Sequence, residues 1–351
     1  MTDLEFIGIT ATQRVDTTSD APAGGFGMAT HTEIGVPVGP AVNKEFAAEL
    51  ARAHEASGFD RVLIAHSSAS IDGFVLADQT LEATEKLKVL LAHRPGFWAP
   101  TIAARAYATL DSFHPGRVAM HVITGGDDTD QQRDGDYLTK EERYRRTDDF
   151  LTVLRQEWES DKPFDHDGEF YKVTGAFASV RPEGRIPIYF GGASVDAIRV
   201  GGKHADAYAF WGEPLDGIRK RIAEVQAAAA PYGRTPRFSV SLRPIVAETE
   251  EEAWAQADAV LAAAQARAGT KGPLSGFGKN AVGSQRLVAV AEQGDVHDKR
   301  LWTALAKVTG GAGNSTSLVG TYEQVAEGLL DYVDLGVTTL LIRGFDPLED
   351  A

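Results

Sequence analysis

Several apolar runs in this sequence end in residues that move protons or hold anions. "RVLIAH" closes on His66, "KVLLAH" on His93 with Arg94 next, and "RVAMHVIT" carries His121 and Thr124. "PIYFGG" ends at Gly191 and Gly192 with Ser194 two residues on, and "AYAFW" ends at Trp211, followed by Glu213. "RFSVSLRPIVA" offers Ser241 and Arg243, and "TTLLIRG" offers Arg343, with Phe345 and Asp346 beyond it. Imidazoles titrate near neutral pH and serve as acids, bases or metal ligands. Guanidinium groups keep their charge, and their forked donors match phosphate, carboxylate or sulfonate oxygens. No HxH or HExxH spacing occurs, so the pattern reads as acid–base and anion chemistry and no metal is expected.

Two glycine-rich stretches and an acidic one need separate readings. In "YFGGAS" the glycines let the backbone approach a ligand, Ser194 can cap the next helix, and a helix start favours an anion. A plain strand-to-helix turn with a capping serine uses the same residues, so both readings stand. "GGAGNST", residues 310 to 316, follows a helical pattern and reads as a flexible connector. "GGDDTDQQRDGD", residues 125 to 136, fails the calcium-loop spacing and is expected to be a solvated loop.

These residues need strands to place them. The runs above, with "EFIGITA" at residues 5 to 11, make eight strand candidates separated by longer amphipathic segments. Nearly continuous apolar runs suit strands covered on both faces, and helical crossovers imply parallel pairing. Thr139 with Glu142, Thr249 with Glu252 and Thr321 with Gln324 have capping-box spacing and mark helix starts. A closed (β/α)8 TIM barrel follows, favoured over a doubly wound sheet because no GxGxxG follows the first strand. Catalytic groups are then expected at the strand C-termini, where all the residues above lie. The chain reads as one domain over residues 1 to 351, with long insertion loops at about 12 to 42 and 264 to 287 that are lid candidates.

Whole-chain properties narrow the function. The 351 residues are 43% apolar, enough for a large core. A net charge of −15, with bases interleaved among acids, argues against nucleic acid or an anionic membrane as partner. There is no cysteine, which removes disulfides, thiolate metal sites and thiol redox chemistry. No leader-like or membrane-spanning run stands out, so a cytoplasmic protein acting on a small molecule is expected.

The longer motifs resemble the bacterial luciferase-like flavin monooxygenases, most closely the reduced-FMN-dependent alkanesulfonate monooxygenases. The stretches that carry the resemblance are "GFDRVLIAHSSAS", "HRPGFWAPTIAARAYATLDSFHPGR", "HVITGGDD", "EERYRRTDDF", "IPIYFGGAS", "FWGEP", "RLWTALAKVTGGAG" and "SLVG", between about residues 44 and 345. The resemblance implies a barrel that binds reduced FMN, supplied by a separate NAD(P)H-dependent flavin reductase, and uses O2. It implies oxidation of an organosulfonate or related small organic anion, with C–S cleavage to aldehyde and sulfite. By carry-over, Tyr144 of "ERY" and Gly191, Gly192 and Ser194 hold the FMN phosphate, and Thr124 lies along the flavin. Arg94 and Trp211 line the cavity. A homodimer or homotetramer is expected, and a neighbouring subunit is expected to cover the last strand, since relatives continue into a helix beyond the point where this sequence stops.

Departures fall on the substrate side. His121 stands where many relatives have Asn, Ser241 and Arg243 lie in "SLRP" where "RLH" is usual, Thr309 replaces an arginine, Ser70 a cysteine, and Phe345 a tyrosine. Arg343 is an added candidate. Arg243 and Arg343 are therefore expected to bind substrate and neutralise charge, with Ser241 beside them, and His66, His93 and His121 to serve as acid–base or flavin-contact groups. Same-fold alternatives are oxidation of a sulfone, amine, heterocycle or aldehyde, a deazaflavin-dependent dehydrogenase, or a flavin-binding barrel without catalysis.

Overall fold

A computed structural model describes residues 4–16, 36–267, 281–311 and 315–345. Eight parallel strands close into a barrel in chain order: β1 (Glu5–Ile9), β2 (Arg61–Ile64), β3 (Lys88–His93), β4 (Val118–Val122), β5 (Ile188–Gly191), β6 (Ala207–Trp211), β7 (Arg237–Leu242) and β8 (Val337–Ile342). Each falls on one of the apolar runs. Inward and outward positions alternate along each strand. Ile7, Leu90, Ala119, Tyr189 and Ala207, with Leu63 and Leu341, fill the barrel interior. Outward residues such as Val62, Val89, Val122, Phe190 and Val240 belong to the larger core between strands and helices.

Eleven helices are described, and six matter to the site: α2 (Gly73–Glu82), α3 (Pro100–Phe113), α4 (Asp128–Arg133), α5 (Lys140–Glu159), α6 (Val195–His204) and α9 (Val282–Gln293). The capping boxes expected at Thr139 and Thr321 are both formed. At Thr249 the reciprocal bonds with Glu252 are present at 3.2 Å each way.

The seventh run behaves differently from its reading as a single strand. β7 ends at Leu242, and after Pro244 residues Ile245–Ala247 leave the barrel and pair in parallel with Ser317–Thr321. Proline has no N–H for a ladder, and the Arg243 N–H already bonds the Thr316 carbonyl at 3.0 Å. A second four-stranded sheet thus flanks the barrel between β7 and β8. Within the two insertion segments, Arg14–Asp16 pairs with Val36–Val38 in an antiparallel ladder, and α9 opens at Val282. Residues 17–35 and 268–280 of those segments, and Asp346, lie outside the described residues. No helix among the described residues is long and apolar enough to cross a membrane.

Candidate active site at the strand C-termini

Two residues beyond the interior cluster, the alternation brings Ile9, Ala65, Ala92, His121, Gly191 and Ala209 to the inner rim of the mouth. Five of these regain partial exposure, whereas the outward residues beside them, Ile64, Val122, Phe190 and Phe210, stay buried. A cup therefore opens at this end, and its floor is mostly Ala and Gly. Small floor residues leave room for a flat ring.

The β5–α6 turn carries the donors. Gly192 has φ +150°, and a Cβ there would lie 2.5 Å from the Ala197 Cβ and 3.2 Å from the Tyr144 hydroxyl. Ser194 caps α6, accepting the Ala197 N–H at 3.2 Å. The Tyr208 hydroxyl donates to the Gly192 carbonyl at 2.9 Å, and Arg221 donates to the carbonyls of Gly192 and Ala193 at 3.2 and 3.1 Å. Turn carbonyls, which repel an anion, are thus bonded to side chains, and the Tyr144 and Ser194 hydroxyls meet beside the helix start. Burial pushes the Tyr144 hydroxyl above its ordinary pKa, so it remains protonated and able to donate. Thr124 joins this group: its hydroxyl is 3.2 Å from that of Thr147, one turn along α5 from Tyr144. Tyr144, Gly192 and Ser194 are therefore brought together, with Gly191 next in the chain and Thr124 meeting α5 one turn away from Tyr144.

The histidines divide. His121 faces the cup beside Gly191, its Cε1 3.5 Å from where a Cβ on that glycine would be. Burial lowers its pKa to about 4, and its Nδ1 has no partner among the described residues. His66 sits at the rim, its Nε2 without a partner among the described residues and its pKa lowered by burial and then by the neighbouring Arg94. His93 points the other way, into the helix layer. It stacks on Phe150 at 5.3 Å, meets Tyr107 edge-on at 5.8 Å, and burial brings its pKa down to about 3.

Arg94 is buried with its charge matched by Asp130, to which it bonds directly; Asp134 lies 3.6 Å away. Asp130 also accepts from the Ser68 hydroxyl at 2.6 Å and its N–H at 3.1 Å. Burial acts to raise the Asp130 pKa, but the Ser68 and Arg94 bonds overcome it and leave it lowered. The acidic stretch read as a solvated loop is therefore corrected: it folds into α4, with Asp127, Asp130, Gln131 and Asp136 buried. Asp136 pairs with Arg146 at 2.5 Å, so Asp130 and Asp136 each have an arginine partner. Sequence reading missed Asp130, Asp136 and Arg146. The available signal was the helix start at Asp127, whose carboxylate accepts the Asp130 N–H at 3.0 Å.

Arg243 and Arg343 end adjacent strands. Ser241 and Leu341 are register partners, so the two arginines continue one inward phase two residues further on. Both are buried, and the Arg243 guanidinium lies over the Phe345 ring at 5.0 Å. Ser241 is in register with Trp211, and the Trp211 ring packs on Gly283 of α9. The opposite rim thus carries positive charge and an aromatic wall.

The described residues thus form a (β/α)8 barrel whose mouth carries a glycine turn with two hydroxyls after β5 and two buried arginines after β7 and β8. The chain belongs to the luciferase-like monooxygenase family, whose model matches residues 25–339. Among solved structures it is similar to EDTA monooxygenase from Chelativorans sp. BNC1, at 17% identity and TM-score 0.75, over 99% of this chain and 90% of that one. It is similar to a riboflavin lyase bound to modified FMN and riboflavin, at 18% identity and TM-score 0.74, over 99% and 88% of the chains. It is also similar to an F420-dependent secondary alcohol dehydrogenase, at 18% identity and TM-score 0.67, over 98% and 94%. At these identities the likeness concerns the fold.

Proposed function

We propose that the protein is the oxygenase component of a two-component monooxygenase that uses reduced FMN and O2 to oxidise an organosulfonate or related small organic anion. The observation that carries the reading is the β5–α6 turn, whose carbonyls are tied to Tyr208 and Arg221 while the Tyr144 and Ser194 hydroxyls sit at a helix start. A phosphate suits that donor set, and the small floor beside it suits a flat ring. FMN carries both features. Tyr144, Ser194 and the Gly191–Gly192 backbone would hold its phosphate, with Thr124 beside them. When bound in reduced form, it supplies the electrons that activate O2 for insertion of one oxygen atom.

The chain's own groups do the rest. Arg243 and Arg343 place positive charge where a sulfonate or carboxylate enters. His121, neutral well above pH 4, offers an imidazole nitrogen that can accept a proton inside the cup. The Trp211 ring and α9 cover one side and limit water there. C–S cleavage to an aldehyde and sulfite is the reaction proposed for a sulfonate substrate.

The test supplies FMN, NAD(P)H, O2 and a flavin reductase, then follows sulfite release from a panel of sulfonates. Sulfite production tied to O2 uptake supports the reading. Reduction or oxidation of a substrate by hydride transfer, with no O2 consumed, would overturn it in favour of a dehydrogenase.

A further inference from the structure

The first turn of α9 crosses the mouth, and the chemistry above gives it only a covering part. At its N-terminal end Ala281 touches the loop after β4: a Cβ on Gly126 would lie 3.0 Å from the Ala281 Cβ. Two residues on, a Cβ on Gly283 would lie 3.1 Å from the Trp211 ring at the end of β6. The turn therefore spans the part of the rim that holds β5.

A helix start presents N–H groups that have no intrahelical acceptor. Ala281 at the N-cap has only a methyl group, and no side-chain cap is made. Ser284, the third residue of α9, is fully buried, and its Oγ has no partner among the described residues. Gln131 is also fully buried, with neither Oε1 nor Nε2 partnered, and it lies against Gly125, next to the Gly126 contact. Buried hydroxyls and amides ordinarily find partners, so Ser284 in the first turn of α9, with Gln131 on α4 beside the loop which that turn touches, marks a place for a ligand. The nearby carboxylates are engaged: Asp127 holds the Asp130 N–H, Asp130 holds Ser68 and Arg94, and Glu213 holds Arg286 at 2.8 Å.

We infer that the first turn of α9, with Ser284 and Gln131, receives the oxyanion group of the substrate, a sulfonate or carboxylate. This rests on the mouth being the reaction chamber proposed above. Ser284 and Gln131 take no part in the β5–α6 turn, whose hydroxyls are those of Tyr144 and Ser194, so the inference adds a second anion position. A substrate held there places its anionic end under α9 and its remainder over the Ala and Gly floor.

Inorganic sulfate is the probe, titrated calorimetrically into the full chain at constant ionic strength against chloride. Ser284→Ala and Gln131→Leu should each weaken sulfate binding by about tenfold and leave FMN affinity unchanged, whereas Ser194→Ala should do the reverse. Ser284→Ala should keep or raise the thermal midpoint, because the hydroxyl it removes has no partner. Sulfate binding indifferent to Ser284→Ala and Gln131→Leu would overturn the inference, as would binding lost on Ser194→Ala alone, which would put the anion in the phosphate cradle. Sulfate binding that depends on Ser284 in a chain that fails to bind FMN would keep this anion site and remove the flavin reading.

Discussion

The two ends of the barrel use similar residues and treat them differently. At the N-terminal end, the inward-facing Glu5 receives Arg61 at 3.1 Å, the Tyr189 hydroxyl at 2.5 Å and the Thr339 hydroxyl at 3.2 Å, with Arg237 at 4.0 Å. At the C-terminal end, His66 Nε2, His121 Nδ1, Ser284 Oγ and both amide atoms of Gln131 have no partner among the described residues. Polar groups that close on each other serve the fold, and the open groups at the mouth are those that the proposed ligands would engage. The βα-loops make the second arrangement possible, because they vary without disturbing the strands beneath them.

The largest effect should come from breaking the closed end. Glu5→Ala leaves Arg61 buried without its carboxylate and is expected to cost about 3–5 kcal/mol in chemical denaturation, with FMN affinity unchanged. Burial acts to raise the Glu5 pKa, yet Arg61, Tyr189 and Arg237 bring it below the ordinary 4.5. A carboxylate whose folded pKa is lowered stabilises fully above the unfolded value, and that stability is lost as pH falls through the folded one. The Glu5 contribution should therefore disappear below about pH 4.5. Loss of FMN binding in a folded Glu5→Ala protein would show that the two ends are not separate in function.

The next effect separates His93 from His121. Both have folded pKa values below the ordinary 6.5, about 3 and about 4, set by burial. The unfolded chain takes up protons first, so each histidine's contribution is full above pH 6.5 and falls as pH drops toward the folded value. For His93 the loss between pH 7 and 4 is on the order of 3 kcal/mol. His93→Phe keeps a ring against Phe150 and should flatten this acid slope without changing FMN affinity. A marked loss of FMN binding would place His93 in the cup after all.

The barrel was legible because each strand is an apolar run long enough to be buried on both faces, and the capping boxes punctuate the helices between them. The β5–α6 turn was legible in part, since Gly191, Gly192 and Ser194 lie within four residues. Their carbonyl ties to Tyr208 and Arg221 were not, because those partners come from β6 and the helix after it. The departure of the chain from β7 was hidden by the apolar character of Ile245 to Ala247, which suits either sheet. The buried face of α4 was hidden by its charge. Asp130 and Asp136 read as solvated until Arg94 and Arg146, distant in sequence, are seen to meet them. His93 likewise lies one position out of phase with Arg94 and His121, and strand phase rather than residue type sends it to the helices.

Within the open end, Gly192→Ala should have the next effect. The added methyl meets Ala197 at 2.5 Å, and φ +150° disfavours a side chain. A loss of about 1–3 kcal/mol in stability is expected, from overpacking and backbone strain together. FMN affinity should fall with it, measured by quenching of flavin fluorescence. Unchanged FMN affinity in a folded Gly192→Ala protein would place the cofactor away from this turn.

The smallest and most discriminating effects belong to the two hydroxyls. Tyr144→Phe and Ser194→Ala each remove one donor to a dianionic phosphate, and a hydrogen bond to a charged group contributes about 1.5–3 kcal/mol, so FMN should bind at least about tenfold more weakly in each. Their stabilities should differ. Ser194→Ala also removes the α6 cap on the Ala197 N–H and should cost about 1 kcal/mol, whereas Tyr144→Phe keeps the ring in place against α5 and α6. Riboflavin shares the ring system of FMN and lacks its phosphate, so its affinity should be the same in both variants and the wild type. A parallel loss of riboflavin affinity would mean that Tyr144 and Ser194 act by shaping the cup, and the charge-recognition role of the β5–α6 turn would then be lost.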